Sequence, residues 1–530
     1  MPNGKMVSGN ESELNNNMSP KLINIIVVLL LAVLSLAVVA NTMFKPVGRD
    51  EQMYCTGAVM LGQGKMIYRD FSYAAQMPYH PLFCAALYKV FNTTHYLLVG
   101  RILSCVCDIL VMLGIVGIYR HVFRSYSISG MLLGMGAVVL YLFNPLVDYA
   151  NGFAWNHDVV IFCVVLSFWL FVSTDFQQKS KYWRIAAVGA LLTLAACMRV
   201  TTILAELLFL VLLLSVPAGS VKERFKTALP FLLAGAVVLI WPVWVIAQAP
   251  RAFYLNLVKI PMLYGQWLHE IGMVHNKFDL TLTCLALPGY FVLVAIAIYL
   301  GLSVFFLRKS LKITGRINLF LAALLPAIFF IIALIPPTMW RQYLAVPVPF
   351  LVIGFAFPLS YLRRLSGKAG ISGQFKIAAA LVAVSSLVAV LSYPFVLYRT
   401  PVALVPESWV PIEIHKVSEE IAGKLETRDS KLVLTLAPLY ALEGGCDIYT
   451  ELSAGAIIYR IADSMPAEDR RITHTAGPQT LLKSLEINPP SAVILGVEMG
   501  RLEETIYKSV VTPDWEIKDY ENGPAVYFRP

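Results

Sequence analysis

The chain has 530 residues, 58% of them hydrophobic and only 14% charged, with a mean hydropathy of +0.68. That composition excludes an ordinary soluble globular protein and describes a polytopic α-helical membrane protein. The net charge of +9 would suggest nucleic acid if the basic residues formed one patch, but they fall in short clusters between apolar runs, so no nucleic-acid partner is expected.

Residues 1–22, rich in Asn, Ser and Gly, read as a disordered cytoplasmic tail. The run Ile23–Ala40 is the first span. Val38-Val39-Ala40 resembles a cleavage site, but the run is long for a signal peptide. A polar connector over 41–95 follows, and long ordered connectors tend to carry function. Asp50 and Glu51 open it close to the membrane surface, where adjacent carboxylates can act as a general base or hold a cation. The plainer reading makes Asp50 the cap of a helix from about Glu51 to Leu61. Cys55 and Cys84 share this connector and would bridge only in an oxidising compartment. Buried free thiols are the simpler state for all eight cysteines, which lack the paired spacing that holds zinc.

Further apolar runs lie at about Tyr96–Tyr119, Ile128–Phe143, Val159–Val172, Ile185–Met198, Thr201–Val216, Leu229–Ala247, Leu282–Leu307, Leu319–Ile335, Leu344–Pro358 and Ile377–Leu397, giving about eleven spans. The stretch from Ile185 to Val216 is divided because one helix of that length would reach about 47 Å, well beyond the ~30 Å hydrocarbon core. Charge supports the division. With the N-terminus inside, the clusters at Arg120, Lys179, Lys222, Arg308 and Arg363 all fall on the cytoplasmic side. Asp50, Asp70, Asp148, Asp158, Arg199, Arg251, Arg341 and the C-terminus then share the outer face. The predicted location is a plasma or inner membrane, multi-pass, with residues 398–530 periplasmic or extracellular.

Those last residues have soluble composition and read as a small α/β domain. Val410–Leu425 has helical periodicity, Leu432–Leu436 and Ala492–Leu495 read as buried strands, and Trp515–Tyr520 with Ala525–Phe528 read as a hairpin around Asn-Gly. No phosphate-binding glycine loop or nucleophile elbow occurs in it, and its expected role is acceptor binding or stability.

Asp158 starts an apolar helix at the outer end of the fourth span, as a helix cap or as a buried carboxylate with a compensating donor. His157 alone reads as an interfacial histidine. Arg199 at a tight turn and Arg341 at the end of another span run against the positive-inside bias. Each either snorkels to headgroups or binds a phosphate bidentately. The segment Pro250–Asp279, with Tyr254 and Trp267, reads as amphipathic and interfacial.

In order, Gly48-Arg49-Asp50-Glu51, Tyr68-Arg69-Asp70-Phe71, Pro78-Tyr79-His80-Pro81-Leu82, Asn156-His157-Asp158 and Trp340-Arg341-Gln342-Tyr343-Leu344 resemble the GT-C fold membrane glycosyltransferases. The similarity is greatest to the bacterial branch of protein O-mannosyltransferases and lipid A aminoarabinose transferases. That resemblance implies a GT-C-like bundle over 23–397 with an extended first outer loop. It makes Asp50 the catalytic acidic residue of the first outer loop, removing the acceptor proton, and Asp158 the second acidic position, which supports the site or a cation. Glu51, Asp70, His80, His157, Arg199, Arg341 and Tyr343 become substrate-binding candidates, with Arg341 on the donor phosphate. Tyr79 and His80 stand where the aminoarabinose transferases carry a lysine, so no metal ligand is assigned. No cofactor is required, although a divalent cation is compatible with the chemistry. The implied partners are a polyprenyl-phosphate-linked sugar donor, membrane lipid, and a lipid, glycan or protein acceptor. A lipid-linked glycan flippase or transporter is the rival reading. It should place ionisable groups inside spans, where Glu206 is the main example.

Overall fold

The computed structural model describes residues 20–216, 220–307, 313–336, 338–366, 372–428, 430–498, 502–520 and 523–530. The expected tail lies outside them up to residue 19, as do Arg308, Lys309, Lys312 and Lys368 of the expected cytoplasmic loops. Helices dominate because an apolar chain in a bilayer must satisfy its backbone polar groups internally. In order these are α1 (Pro20–Phe44), α2 (Arg49–Gly62), α3 (Tyr79–Phe91), α4 (Tyr96–Val122), α5 (Ser127–Leu142), α6 (Pro145–Ala150) and α7 (His157–Val172). The next two, α8 (Lys181–Ala196) and α9 (Ile203–Leu214), are separate helices, divided at Arg199 by a 3-10 turn over Val200–Thr202.

The long helix α10 (Val221–Gln248) lies directly against α8. A Cβ on Gly189 would stand 2.2 Å from the Phe231 carbonyl oxygen, so a small residue is what lets the two backbones meet. Beyond it come α11 (Pro250–Tyr254), a π-helical turn over Leu255–Lys259, α12 (Ile260–Glu270), α13 (Lys277–Leu285), α14 (Pro288–Leu307), α15 (Ile313–Leu334), α16 (Pro347–Gly354), α17 (Ala356–Leu365), α18 (Ser372–Ser392) and α19 (Phe395–Tyr398).

Among the described residues, seven helical runs are long and apolar enough to cross a membrane. Ser127–Leu142, His157–Val172, Val200–Leu214 and Phe395–Leu404 are shorter apolar helices. The chain is a multi-pass membrane protein. Three expected runs are interrupted, two of them at prolines. Leu282–Leu307 is divided where Pro288 opens α14, because proline lacks an N–H and crowds the preceding turn. Ile377–Leu397 ends at Ser392, two residues before Pro394. Leu344–Pro358 is divided between a 3-10 turn at Arg341–Ala345, α16 and α17.

The C-terminal region begins with α20 (Val410–Leu425) and continues through β1 (Leu432–Thr435), α21 (Leu439–Leu442), β2 (Asp447–Ile448), β3 (Ala492–Leu495), β4 (Glu516–Asp519) and β5 (Ala525–Phe528). The sheet order is β2-β1-β3-β5-β4. β1 pairs in parallel with β2 and β3, and β5 is antiparallel to β3 and β4. β1 and β3 are buried along their whole length, which explains their continuous apolar sequence. In the expected hairpin turn, Glu521 and Asn522 lie outside the described residues. β2 has only two residues and carries no periodic signal to read.

This region is docked on the connector between α1 and α4. Leu439 N donates to Gln52 Oε1 (2.9 Å), and Leu97 N donates to Glu443 Oε1 (2.7 Å). Apolar contacts surround these bonds. Leu439 and Ile414 join Cys55, Leu97 and Ala154 in one cluster, and Leu442 joins Ala58, Cys84 and Tyr88 in another. All eight cysteines, Cys55 and Cys84 included, are free and buried.

Candidate functional site

The head of α2 carries two carboxylates with different fates. Gly48, not Asp50, stands at the N-cap, and its N–H donates to Glu51 Oε2 (2.8 Å). Arg101 of α4 then grips Glu51 with both arms of its guanidinium, Nε to Oε1 at 2.9 Å and Nη2 to Oε2 at 2.8 Å. Ala154 N adds a third donor at 2.6 Å. Arg101 also donates to the carbonyls of Thr42, Lys45 and Pro46. Both side chains are sealed from solvent, so Glu51 binds the connector to α4 and to the loop before α7.

Asp50, one residue earlier, is half-buried and makes no hydrogen bond or ion pair to any described residue. Burial pushes its carboxyl up to about 6, and Arg49 and Arg199 pull against that shift while Glu51 adds to it. Tyr54, one turn later on the same helix face, lies within electrostatic reach of both Asp50 and Arg199. Tyr343, on the 3-10 turn before α16, senses the same two groups, and Tyr264 of α12 senses Asp50.

Arg199 is the hub. It sits in extended backbone between α8 and α9, and its guanidinium donates to Asn156 Oδ1 (3.1 Å) and to His157 Nδ1 (3.4 Å from each terminal nitrogen). An arginine only donates, so His157 accepts at Nδ1 as a neutral imidazole. Asn156 is held in turn by bonds to Gln76 Oε1 and the Met198 carbonyl. Asp158 is buried, and its Oδ2 accepts from Gly152 N (2.9 Å) while Oδ1 has no partner. Gly152 has φ +85°, and a Cβ there would also strike Thr42, so glycine is required to aim that N–H. Arg199 lies within electrostatic reach of both Asp158 and Asp50. Asp50, Asp158, His157, Arg199 and Tyr343 are therefore brought together.

Asp70, His80 and Arg341 share no hydrogen bond or ion pair with the groups of this hub among the described residues. Asp70 pairs with Arg69 (2.7 Å) and accepts from Met66 N, a local clasp that draws its carboxyl below the usual range. His80 is buried against the Tyr54 ring with centroids 5.1 Å apart, and desolvation lowers its pKa to about 3, so it is neutral. Arg341 is exposed, has no hydrogen bond or ion pair to a described residue, and lies within electrostatic reach of Cys284. Among the described residues no three His, Cys, Asp or Glu side chains gather as metal ligands do.

Several groups escaped the reading from sequence. Tyr54 was legible in principle, four residues after Asp50. Asp108 lies inside the apolar run of α4, where no local signal marks a partner, and its Oδ1 accepts from Tyr141 (2.5 Å) and Asn151 (3.0 Å). Lys45 is buried with its ammonium on the carbonyls of Asp148 and Asn151, and desolvation lowers it to about 8. Glu206 of α9, the ionisable group already expected inside a span, accepts from Thr193 of α8 at 2.5 Å. Neither intramembrane carboxylate is left without a partner. The C-terminal region also reaches the site, through a Glu498 ion pair to Arg49 at 3.0 Å.

No family model matches the chain, and no characterised protein matches it by sequence. Solved structures do match. ArnT from Cupriavidus metallidurans bound to undecaprenyl phosphate superposes with a TM-score of 0.61 at 13% identity, over 96% of this chain and 98% of that one. The apo state of the same protein gives 0.60 at 15% identity, over 95% and 98%. The Archaeoglobus fulgidus oligosaccharyltransferase in complex with Zn and sulfate gives 0.51 at 12% identity, over 90% of this chain and 69% of that one. The fold is that of the GT-C glycosyltransferases.

Proposed function

We propose that the chain is an integral-membrane glycosyltransferase that moves a sugar from a polyprenyl-phosphate donor to a hydroxyl of a lipid, glycan or protein acceptor at the outer face of the membrane, with inversion. The observation that carries this reading is the unpaired carboxylate of Asp50 beside the Arg199 guanidinium, in a bundle of GT-C fold. A neighbour of the same fold holds undecaprenyl phosphate, which supports a donor of that class. In this reading the bundle has about eleven spans, its basic loops are cytoplasmic, and the connector and the C-terminal region lie outside.

The step follows from the charges. Asp50 takes the proton of the acceptor hydroxyl as that oxygen attacks the anomeric carbon. The bond from carbon to phosphate oxygen breaks on the opposite face, and its electron pair leaves on the phosphate. A positioned base of this kind contributes roughly 10²- to 10⁴-fold. Arg199 lies against the growing phosphate charge, with Tyr343 beside it, and Asp158 sets the field behind the arginine. Arginines alone can neutralise a monophosphate leaving group, so the step requires no metal and remains compatible with a divalent cation. Arg341, unpaired and exposed, meets the headgroup as it enters from the lipid.

The experiment incubates purified protein with a panel of polyprenyl-linked sugars and reads acceptor mass. Asp50→Asn should fold and insert yet transfer no sugar. Wild-type turnover in that variant would remove Asp50 from the chemistry.

A further inference from the structure

The Glu498 contact carries more than docking. Glu498 Oε2 receives two arginines, Arg49 Nε at 3.0 Å and Arg460 Nη2 at 2.7 Å. Glu498 and Arg460 side chains are each 5% exposed, whereas Arg49 is 48% exposed. Both members of the buried pair are fixed from behind. Gly496, at φ +87° after β3, donates its N–H to Glu503 Oε2 at 2.6 Å, which shapes the loop that carries Glu498. The Arg460 guanidinium lies 5.4 Å over the Trp267 ring, and Trp267 stacks on Tyr264 with centroids 5.6 Å apart. Arg460 Nη1 is buried without a hydrogen-bond partner, and Tyr264 lies within electrostatic reach of Arg460, Arg49 and Asp50.

Two guanidinium groups thus share the Glu498 carboxylate, and Arg49 also lies within electrostatic reach of Asp50. The terminal nitrogens of Arg49 make no hydrogen bond to a described residue, and Glu498 restrains the group only through Nε. A guanidinium oriented this way presents a two-pronged donor suited to an oxyanion.

We infer that Glu498, itself held by Arg460, is a positioning residue that aims Arg49 as an oxyanion-binding fork beside Asp50. The C-terminal region thereby supplies part of the binding site. The ligand class is a phosphate, carried by the donor lipid or by another phosphorylated molecule. The inference deepens the glycosyl-transfer reading, but its test needs no turnover.

Full-length protein in detergent micelles is treated with phenylglyoxal, and modification of Arg49 is read by peptide mass spectrometry in the presence of undecaprenyl phosphate, undecaprenol or inorganic phosphate. Protection by undecaprenyl phosphate and not by undecaprenol assigns the fork to the donor. Protection by inorganic phosphate without any from undecaprenyl phosphate assigns it to a second phosphorylated ligand. In either case Glu498→Gln should raise the half-protecting concentration roughly 10- to 100-fold, as loss of the ion pair that aims the fork predicts, and Glu498→Asp should recover part of it. No protection by either phosphate, or an unchanged half-protecting concentration in a folded Glu498→Gln variant, overturns the inference. If Glu498→Gln does not fold, half-exposed Arg49 carries the test. Undecaprenyl phosphate and inorganic phosphate binding, followed by tryptophan fluorescence, should weaken in Arg49→Gln for the protecting probe, and equal affinity for both overturns the inference. Protection that persists in Asp50→Asn separates this fork from the fate of the proposed base.

Discussion

The heads of α2 and α7 use the same local grammar for opposite ends. Each opens with a carboxylate in its first turn, Asp50 and Glu51 in one and Asp158 in the other. At α2, Glu51 takes the donors of Gly48, Arg101 and Ala154, while the Asp50 side chain has no hydrogen bond to a described residue. At α7, the preceding Asn156 Oδ1 and His157 Nδ1 accept from Arg199, and Asp158 keeps a single backbone donor. The difference teaches that acidity at a helix start says nothing of its use until the partners from elsewhere are counted. Saturation makes an anchor, whereas an unpaired, desolvated group is available to move a proton.

The comparison breaks most visibly at the anchor. Glu51→Ala leaves Arg101 charged, buried and without its carboxylate, and the expected loss is about 3–5 kcal/mol of stability, read as a lower melting temperature and poor yield from membranes. Asp50→Asn, by contrast, should leave that melting temperature unchanged within error while it abolishes transfer. A smaller effect is expected at the second helix head. Asn156→Ala removes one of the ties that orient Arg199, so the apparent KM for the donor should rise roughly tenfold with a smaller change in kcat, as loss of a hydrogen bond to a charged group predicts. The smallest effect is on pH dependence. The base must be ionised, and its carboxyl is raised to about 6, so kcat/KM should reach half its plateau near pH 6 and fall as pH drops further. An acid limb near pH 4 instead would place Asp50 in a far wetter setting than the structure gives it.

Much of the fold was legible because bilayer length and loop charge are local or additive signals. The break at Arg199 follows from a run too long for one crossing, and the bounds of α20 and β3 coincide with the predicted ones. What could not be read depends on partners far along the chain. Nothing near Glu51 announces Arg101, fifty residues on, and Arg49 meets Glu498 from the far end of the sequence. Arg341 and Arg199 looked alike as arginines against the charge bias. Only packing separates them, since Arg199 is buried within electrostatic reach of Asp50 and Asp158, whereas Arg341 is exposed and within reach of Cys284. The free state of Cys55 and Cys84 followed from their apolar surroundings, while the partners of Asp108 required the positions of α5 and α6 to be known.

The seating of the C-terminal sheet on the first connector also dictates an order of construction. Leu439 and Leu442 bury themselves against Ala58, Cys84 and Leu97, residues synthesised several hundred positions earlier. The ribosome must therefore deliver the early helices and their connector before the final segment has a platform to settle on. A fragment beginning near Val410 and made alone would present those leucines to water, so it should clump or be degraded.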